Sequence, residues 1–235
     1  MKLRIKFRKY GPIRFIGHLD VMRFFQKAIR RAEIDVAYST GFSPHQIMSF
    51  AAPLGVGLES NGEYFDVEVH SITSCEEVRR RLNSVSAPGI EITSVKVLPE
   101  GAGNAMASVA AASYTVSFRT GREPQLNITE ALPAFLAKEQ IQITKETKKG
   151  TREVDLKPGI YELYWKNDAF HMLVDASSAG NIKPVQIIEA LLAEHGELLA
   201  ENSLLVTRED TYTDIGTTEE RILVPLDEIG MDDHI

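Results

Sequence analysis

The chain has 235 residues but one cysteine, Cys75, and one tryptophan. A lone cysteine forms no internal disulfide, and no CxxC or CxxxCxxC spacing exists to hold zinc or an iron–sulfur cluster. Any redox cofactor is therefore expected to sit in a partner, with none in this chain. No apolar run approaches the roughly 18 residues that cross a bilayer. The start, Met1-Lys2-Leu3-Arg4-Ile5-Lys6, alternates charge with apolar residues where a signal peptide would build an apolar core. A cytoplasmic protein without membrane association is the expectation. Gly55-Val56-Gly57 is not a dinucleotide fingerprint, because Ser60 stands where GxGxxG needs its third glycine. Acid, too, is scarce at one end. Residues 1–31 hold ten Lys/Arg against Asp20 alone, whereas residues 161–235 hold four against sixteen Asp/Glu, so the net charge of −7 hides a strong polarity.

With 43% hydrophobic residues the chain can bury a sizeable core, and its length suits two domains. Leu3, Ile5 and Phe7 alternate with Arg4, Lys6 and Arg8, the period-two signature of a half-buried strand. From His18 to Ala32 the spacing changes to helical. Val21, Phe24, Phe25, Ala28, Ile29 and Ala32 share one face, with Arg23, Lys27, Arg30 and Arg31 opposite. Short extended pieces, a strand at Tyr64–Val69, a helix capped by Ser74 with Glu77, and a strand at Ile90–Leu98 complete a first set. The second half repeats the order: Tyr114–Phe118, Ile128–Lys138 interrupted by Pro133, Ile141–Thr147, Gly159–Trp165 with Phe170–Asp175, a helix from Pro184, and Leu204–Thr207. Strand, helix, two strands, helix, strand predicts an α+β protein of two tandem ferredoxin-like, or split βαβ, domains. The expected limits are 1–98, a linker at 99–113, 114–213, and an acidic tail at 214–235. Within the tail, residues 222–226 read as either a docking strand or a partner-binding segment.

The basic helix face could track a phosphate backbone, since Arg23, Lys27 and Arg30 are not interleaved with glutamate and lie near Lys9 and Arg14. Most charged helix faces are merely solvated. His18 opens the helix, where exposed N–H groups and the dipole favour an anion, with Arg14 close by; the plainer role is capping and packing. Asp20 in the first turn stabilises the helix without chemistry. The turn Gly41-Phe42-Ser43-Pro44-His45 joins a residue free to take positive φ to a pre-proline serine, and so presents His45 on a rigid loop beside Tyr38. Phe42 is expected to plug the core beneath its loop, with a stacking platform as the other reading. His18 and His45 together fix no third metal ligand, so no metal site is expected. The other sheet face is unpromising for base stacking. Tyr64, Asp66 and Glu68 would point the same way as Arg4, Lys6 and Arg8 and cancel their charge, and the first strand offers no exposed aromatics. The stretch 145–152 reads as a basic hairpin tip, solvated or in contact with nucleic acid.

The run Gly11-Pro12-x-Arg14-Phe15-x-x-His18-Leu19-Asp20, continuing through Arg30-Arg31-Ala32, Tyr38-Ser39-x-Gly41-Phe42-x-Pro44-His45 and Pro53-Leu54-x-x-Gly57-x-Glu59-Ser60, resembles the radical-SAM-linked family of uncharacterised bacterial proteins. One departure is Gly17, where serine is usual. The resemblance implies a radical-SAM protein partner, encoded beside or fused to the family member, and hints at RNA. Together these readings make the expected function that of an RNA-binding adaptor in tRNA or rRNA modification. Arg14, Arg23, Lys27 and Arg30 would contact phosphate, and His18, Tyr38 and His45 would position a nucleotide around Gly41. The rival is a metal-independent endoribonuclease with His18 or His45 as general acid or base. A protein-only scaffold, its basic helix docking an acidic tail, is the third.

Overall fold

The computed structural model describes residues 1–147, 150–217 and 219–232. The alternating first segment forms strand β1 (Lys2–Lys9), burying Leu3, Ile5 and Phe7 on one face. Helix α1 (His18–Arg31) buries Val21, Phe25, Ala28 and Ile29. Each such aliphatic or aromatic side chain contributes about 1.5–3 kcal/mol on leaving water. The helix stops where Ala32 N–H closes on Ala28 and Glu33 turns to φ +52. Strands β2 (Asp35–Val36) and β3 (Met48–Phe50) pair antiparallel with β4 (Glu59–Ser71), which pairs antiparallel with β1. Helix α2 (Cys75–Ser84) begins where the Ser74 hydroxyl accepts the Glu77 N–H at 3.0 Å, the expected cap. Strand β5 (Ile90–Val97) then pairs antiparallel with the other edge of β1, giving the order β5-β1-β4. Phe7, Phe25, Phe50 and Phe65 meet in the core under α1, with ring centroids 4.6–6.4 Å apart.

In the second half come β6 (Ala111–Phe118), α3 (Ile128–Leu136), the hairpin β7 (Gln142–Thr147) and β8 (Gly150–Asp155), then β9 (Ile160–Lys166), β10 (Ala169–Asp175) and α4 (Pro184–Glu194). Strand β10 lies antiparallel between β6 and β9, and Asn167 and Asp168, both at positive φ, make the tight turn that β9 and β10 share. Pro133 does not interrupt α3: it forfeits one N–H, while Leu132 and Phe135 on either side are buried. Pro184 opens α4 and Gly196 follows its end at φ +74. Strands β11 (Leu204–Asp214) and β12 (Leu223–Pro225) pair with each other. The result is a mixed α/β protein with four α-helices among the described residues. No helix among the described residues is long and apolar enough to cross a membrane.

Two compact units are formed: Met1–Ala110 with the described residues from Arg208 onward, and Ala111–Thr207. This division differs from the expected limits of 1–98, 114–213 and a separate 214–235. Residues 99–110 are not a free linker, since Ala105 is fully buried in the first unit. Nor does the end of the chain stand apart, because Leu226 is fully buried and Met231 pairs with Val97 of β5. Residues 223–225 take the strand reading.

Candidate nucleic-acid interface

Alternation sends Arg4, Lys6 and Arg8 to the sheet face away from α1, and the register puts Asp66 opposite Arg4 and Tyr64 opposite Lys6. Arg4 is fully buried. Its Nε and Nη2 bond Asp66 Oδ1 and Oδ2 at 2.8 and 3.0 Å, and its Nη1 donates to Leu226 O at 3.0 Å. Lys6 Nζ reaches Asp210 at 2.6 Å. The Tyr64 hydroxyl donates to Asp210 at 2.6 Å and lies 3.0 Å from Asp227. Burial first, then those two carboxylates, push the Tyr64 pKa far above the usual phenol range. Gly62 allows this approach, for a Cβ there would stand 2.7 Å from Asp210 Cα. Cross-strand pairing thus cancels the charge of this face, as the alternation implies. Asp210, Asp227 and Asp232 serve this face: besides Lys6, Lys96 binds Asp232.

The α1 face of β1 carries one surprise, Lys9, which is buried and donates to Ile16 O at 2.9 Å and Arg14 O at 3.4 Å. Burial lowers its pKa; nearby Glu63 opposes and Arg208 reinforces the shift. Glu63, buried 3.0 Å from the Arg208 guanidinium, is raised by burial against the pull of Arg208, Ser60 and Lys9. His18 rests edge-on against Phe50, centroids 5.3 Å apart, and its pKa is lowered by burial and by the Lys9 charge. His18 therefore packs as the plainer role expects, but it does not cap: Gly17 is the N-cap and no side chain among the described residues bonds the helix start. Arg14, placed by the 3-10 turn Gly11–Phe15, spends its charge on Glu59 at 3.0 Å and lies over the Phe15 ring.

The outer face of α1 is different. Arg23 bonds Asp20 at 3.1 Å, a fully solvated pair, and Arg31 donates to Val85 O. Lys27 and Arg30 are exposed and have no hydrogen-bond or ionic partner among the described residues. Beside them the chain leaves β4 after Ala37, bonded to Glu68 O, and returns at Ile47, bonded to Ala37 O. The excursion is closed at its neck by Ser39 N–H to His45 O at 2.8 Å, by the Ser39 hydroxyl with His45 Nδ1 at 2.8 Å, and by His45 N–H to Ser39 Oγ at 3.1 Å. Gly41 takes φ +114, as expected. Phe42 does not plug the core. It is fully exposed, and Tyr38 is half-exposed. The neck bonds satisfy the loop from within, so no apolar anchor holds it down.

Arg14 and His18 therefore lie near the start of α1 and Arg30 in its last turn, while Tyr38 and His45 belong to the loop whose Gln46 bonds Gln26 O in mid-helix. No hydrogen bond or ring contact joins His18 to His45 among the described residues. No group of three or more His, Cys, Asp or Glu converges as a metal site among them. In the hairpin at 145–152, Lys145 pairs with Arg152, but Lys148 and Lys149 lie outside the described residues. Sequence reading missed Glu63, Arg208, Asp210 and Asp227. Their signal was faint: Arg208, Asp210 and Asp227 lie in a segment read as a second domain and tail, over 140 residues from their partners Glu63, Lys6 and Tyr64.

A model of the family described as "Uncharacterized protein conserved in bacteria (DUF2344)" matches residues 2–184. No curated protein matches the chain. Among solved structures, a chain from the crystal structure of a Cbf5-Nop10-Gar1 complex is similar at 9% identity and a TM-score of 0.46, over 89% of this chain and 48% of that one. The present chain spans about half the length of that relative, and a likeness this distant carries no argument.

Proposed function

We propose, for a chain that belongs to this family of uncharacterized proteins conserved in bacteria, the role of an RNA-binding accessory protein that acts with a radical-SAM partner in modifying tRNA or rRNA. The observation that carries the RNA reading is the outer face of α1. Lys27 and Arg30 are exposed and unpaired there, while most other cations of the first 31 residues are consumed inside the unit. Unpaired cations can displace the counterions condensed on RNA phosphates at no cost in broken internal ion pairs. Arg23 joins them by exchanging Asp20 for phosphate, a weak exposed pair. The partner is argued from the family resemblance and from the chain's having one cysteine, too few to ligate a cluster. In this reading each unit is a ferredoxin-like domain. The support is strand order: β5-β1-β4 with β2 and β3 on the far side of β4 in one, and β10 between β6 and β9 in the other.

The test is binding of fluorescently labelled tRNA and rRNA fragments between about 50 and 200 mM salt. Affinity should fall steeply with salt. Lys27→Ala with Arg30→Ala should weaken binding to all sequences alike and reduce the log–log slope by about 1.4 for unpaired RNA, at about 0.7 per charge. An unchanged slope sinks the surface. RNA turnover abolished by His18→Ala would replace the accessory role with the nuclease. Native purification that recovers neither RNA nor a radical-SAM enzyme would leave the scaffold.

A further inference from the structure

The loop 38–46 is built to hold aromatic rings in water. It contains no charged residue, its neck is closed by the Ser39–His45 bonds and a Tyr38–Gln46 bridge, and it presents Phe42 fully exposed, Tyr38 half-exposed and the His45 ring beside its neck. Exposing a whole phenylalanine side chain forgoes the gain of burying it, a gain that stacking on a ligand would supply.

The position of this loop is fixed. Gln46 Nε2 donates to the carbonyl of Gln26 in the middle of α1 at 3.2 Å. At 100° and 1.5 Å per residue, Arg30 lies about 40° around the helix and about 6 Å along it from Gln26. The neck therefore adjoins the side of the helix that carries Arg30, with Lys27, the other unpartnered cation of α1, about 100° around from Gln26.

We propose that Phe42, with Tyr38, stacks on the bases of a single-stranded RNA segment whose phosphates lie on Lys27 and Arg30. This rests on the RNA-binding reading above and narrows it to unpaired nucleotides. Rings beside unpaired cations are the chemistry of single-strand recognition, because a base in a duplex is already stacked and offers no free face. A protein partner fits the loop less well. Its exposed apolar side chains are Tyr38, Phe42 and Pro44, interspersed with Ser39, Thr40 and Ser43, less than the broad apolar patch that a protein interface core covers.

The experiment compares a labelled single-stranded 12-mer of uridine and adenosine with the same sequence annealed to its complement, titrated with the full chain by fluorescence anisotropy. The single strand should bind more tightly. Phe42→Ala should weaken single-strand binding about ten-fold, the factor for losing one stacked base, and leave the salt slope unchanged. Phe42→Trp placed in a Trp165→Phe chain should restore affinity and show fluorescence quenched by the RNA. Equal affinity for both forms, or an unaltered Phe42→Ala, with salt-dependent binding persisting, would overturn the stacking proposal and leave the RNA-binding reading intact. Absence of salt-dependent binding in the unmodified protein would overturn both. Loss of a protein partner on Phe42→Ala with RNA affinity unchanged would reassign the loop to protein docking.

Discussion

Strand β1 and helix α1 are both rich in cations, yet their charges meet opposite fates. Arg4 and Lys6 are locked against Asp66, Asp210 and a backbone carbonyl, whereas Lys27 and Arg30 face water without partners. The difference comes from geometry. A strand flanked by β4 and β5 sends alternate side chains to two covered faces, so each cation on it needs a counter-charge at hand. A helix laid on a sheet buries one stripe and leaves the other to solvent. Charge counted along a sequence is therefore not charge available to a partner, and the cations of the candidate interface lie on the helix alone.

The hardest way to break this comparison is to remove one member of the buried pair. Arg4→Ala leaves Asp66 charged and buried, and should cost about 3–5 kcal/mol, read as a lowered urea midpoint. Arg4→Met with Asp66→Leu should regain most of the loss, because apolar replacements need no counter-charge. Lys27→Ala with Arg30→Ala should stay within about 0.5 kcal/mol of the parent. If Arg4→Ala proves as mild as the helix variant, the two regions do not differ as described.

Tyr64→Phe probes the same network more gently. It keeps the ring under Lys6 but deletes the donor to Asp210, leaving two carboxylates close together with less to satisfy them. A loss of about 1–3 kcal/mol is expected. A neutral result would mean that Lys6 alone satisfies both acids.

On the helix side, Asp20→Ala should cost no more than about 0.3–1 kcal/mol, since its bond to Arg23 is solvated and only the helix dipole adds to it. The same change frees Arg23, so affinity for RNA should rise slightly while stability falls. Weaker RNA binding by Asp20→Ala would count against Arg23 as part of the surface.

How much of this was legible in the sequence follows the same divide. Period two in residues 3–8, period 3.6 in residues 18–32, the Ser74 cap and the Pro184 start are local signals, and each marks its element correctly. That Asp66 shares a face with Arg4 was legible too, because alternation fixes which side chains share a face, though not the register that sets the two opposite. What could not be read was closure over long separations. Nothing near Leu226 says that it covers the Arg4 side of the sheet, and nothing near Arg208 says that it meets Glu63. Phe42 failed for another reason. An aromatic among turn residues usually anchors its loop, but here Ser39 and His45 tie the neck by hydrogen bonds.

His18 stands on the boundary between the two regions, at the head of the open helix yet beside the buried Lys9, and gives the smallest and most specific test. Burial and the Lys9 charge lower its pKa, so between the folded and unfolded values the unfolded chain binds the extra proton. The stability that this contributes is fully present above the unfolded value of about 6.5 and is lost as pH falls through the folded one. His18→Gln deletes the titration together with the Phe50 contact; losing the contact shifts stability equally at every pH. The stability of the parent minus that of His18→Gln, from urea midpoints, should therefore decline from about pH 8 to pH 5. A difference that stays flat over that range would mean that His18 is as solvated as the cations of the outer face, and would move it from the packed region to the open one.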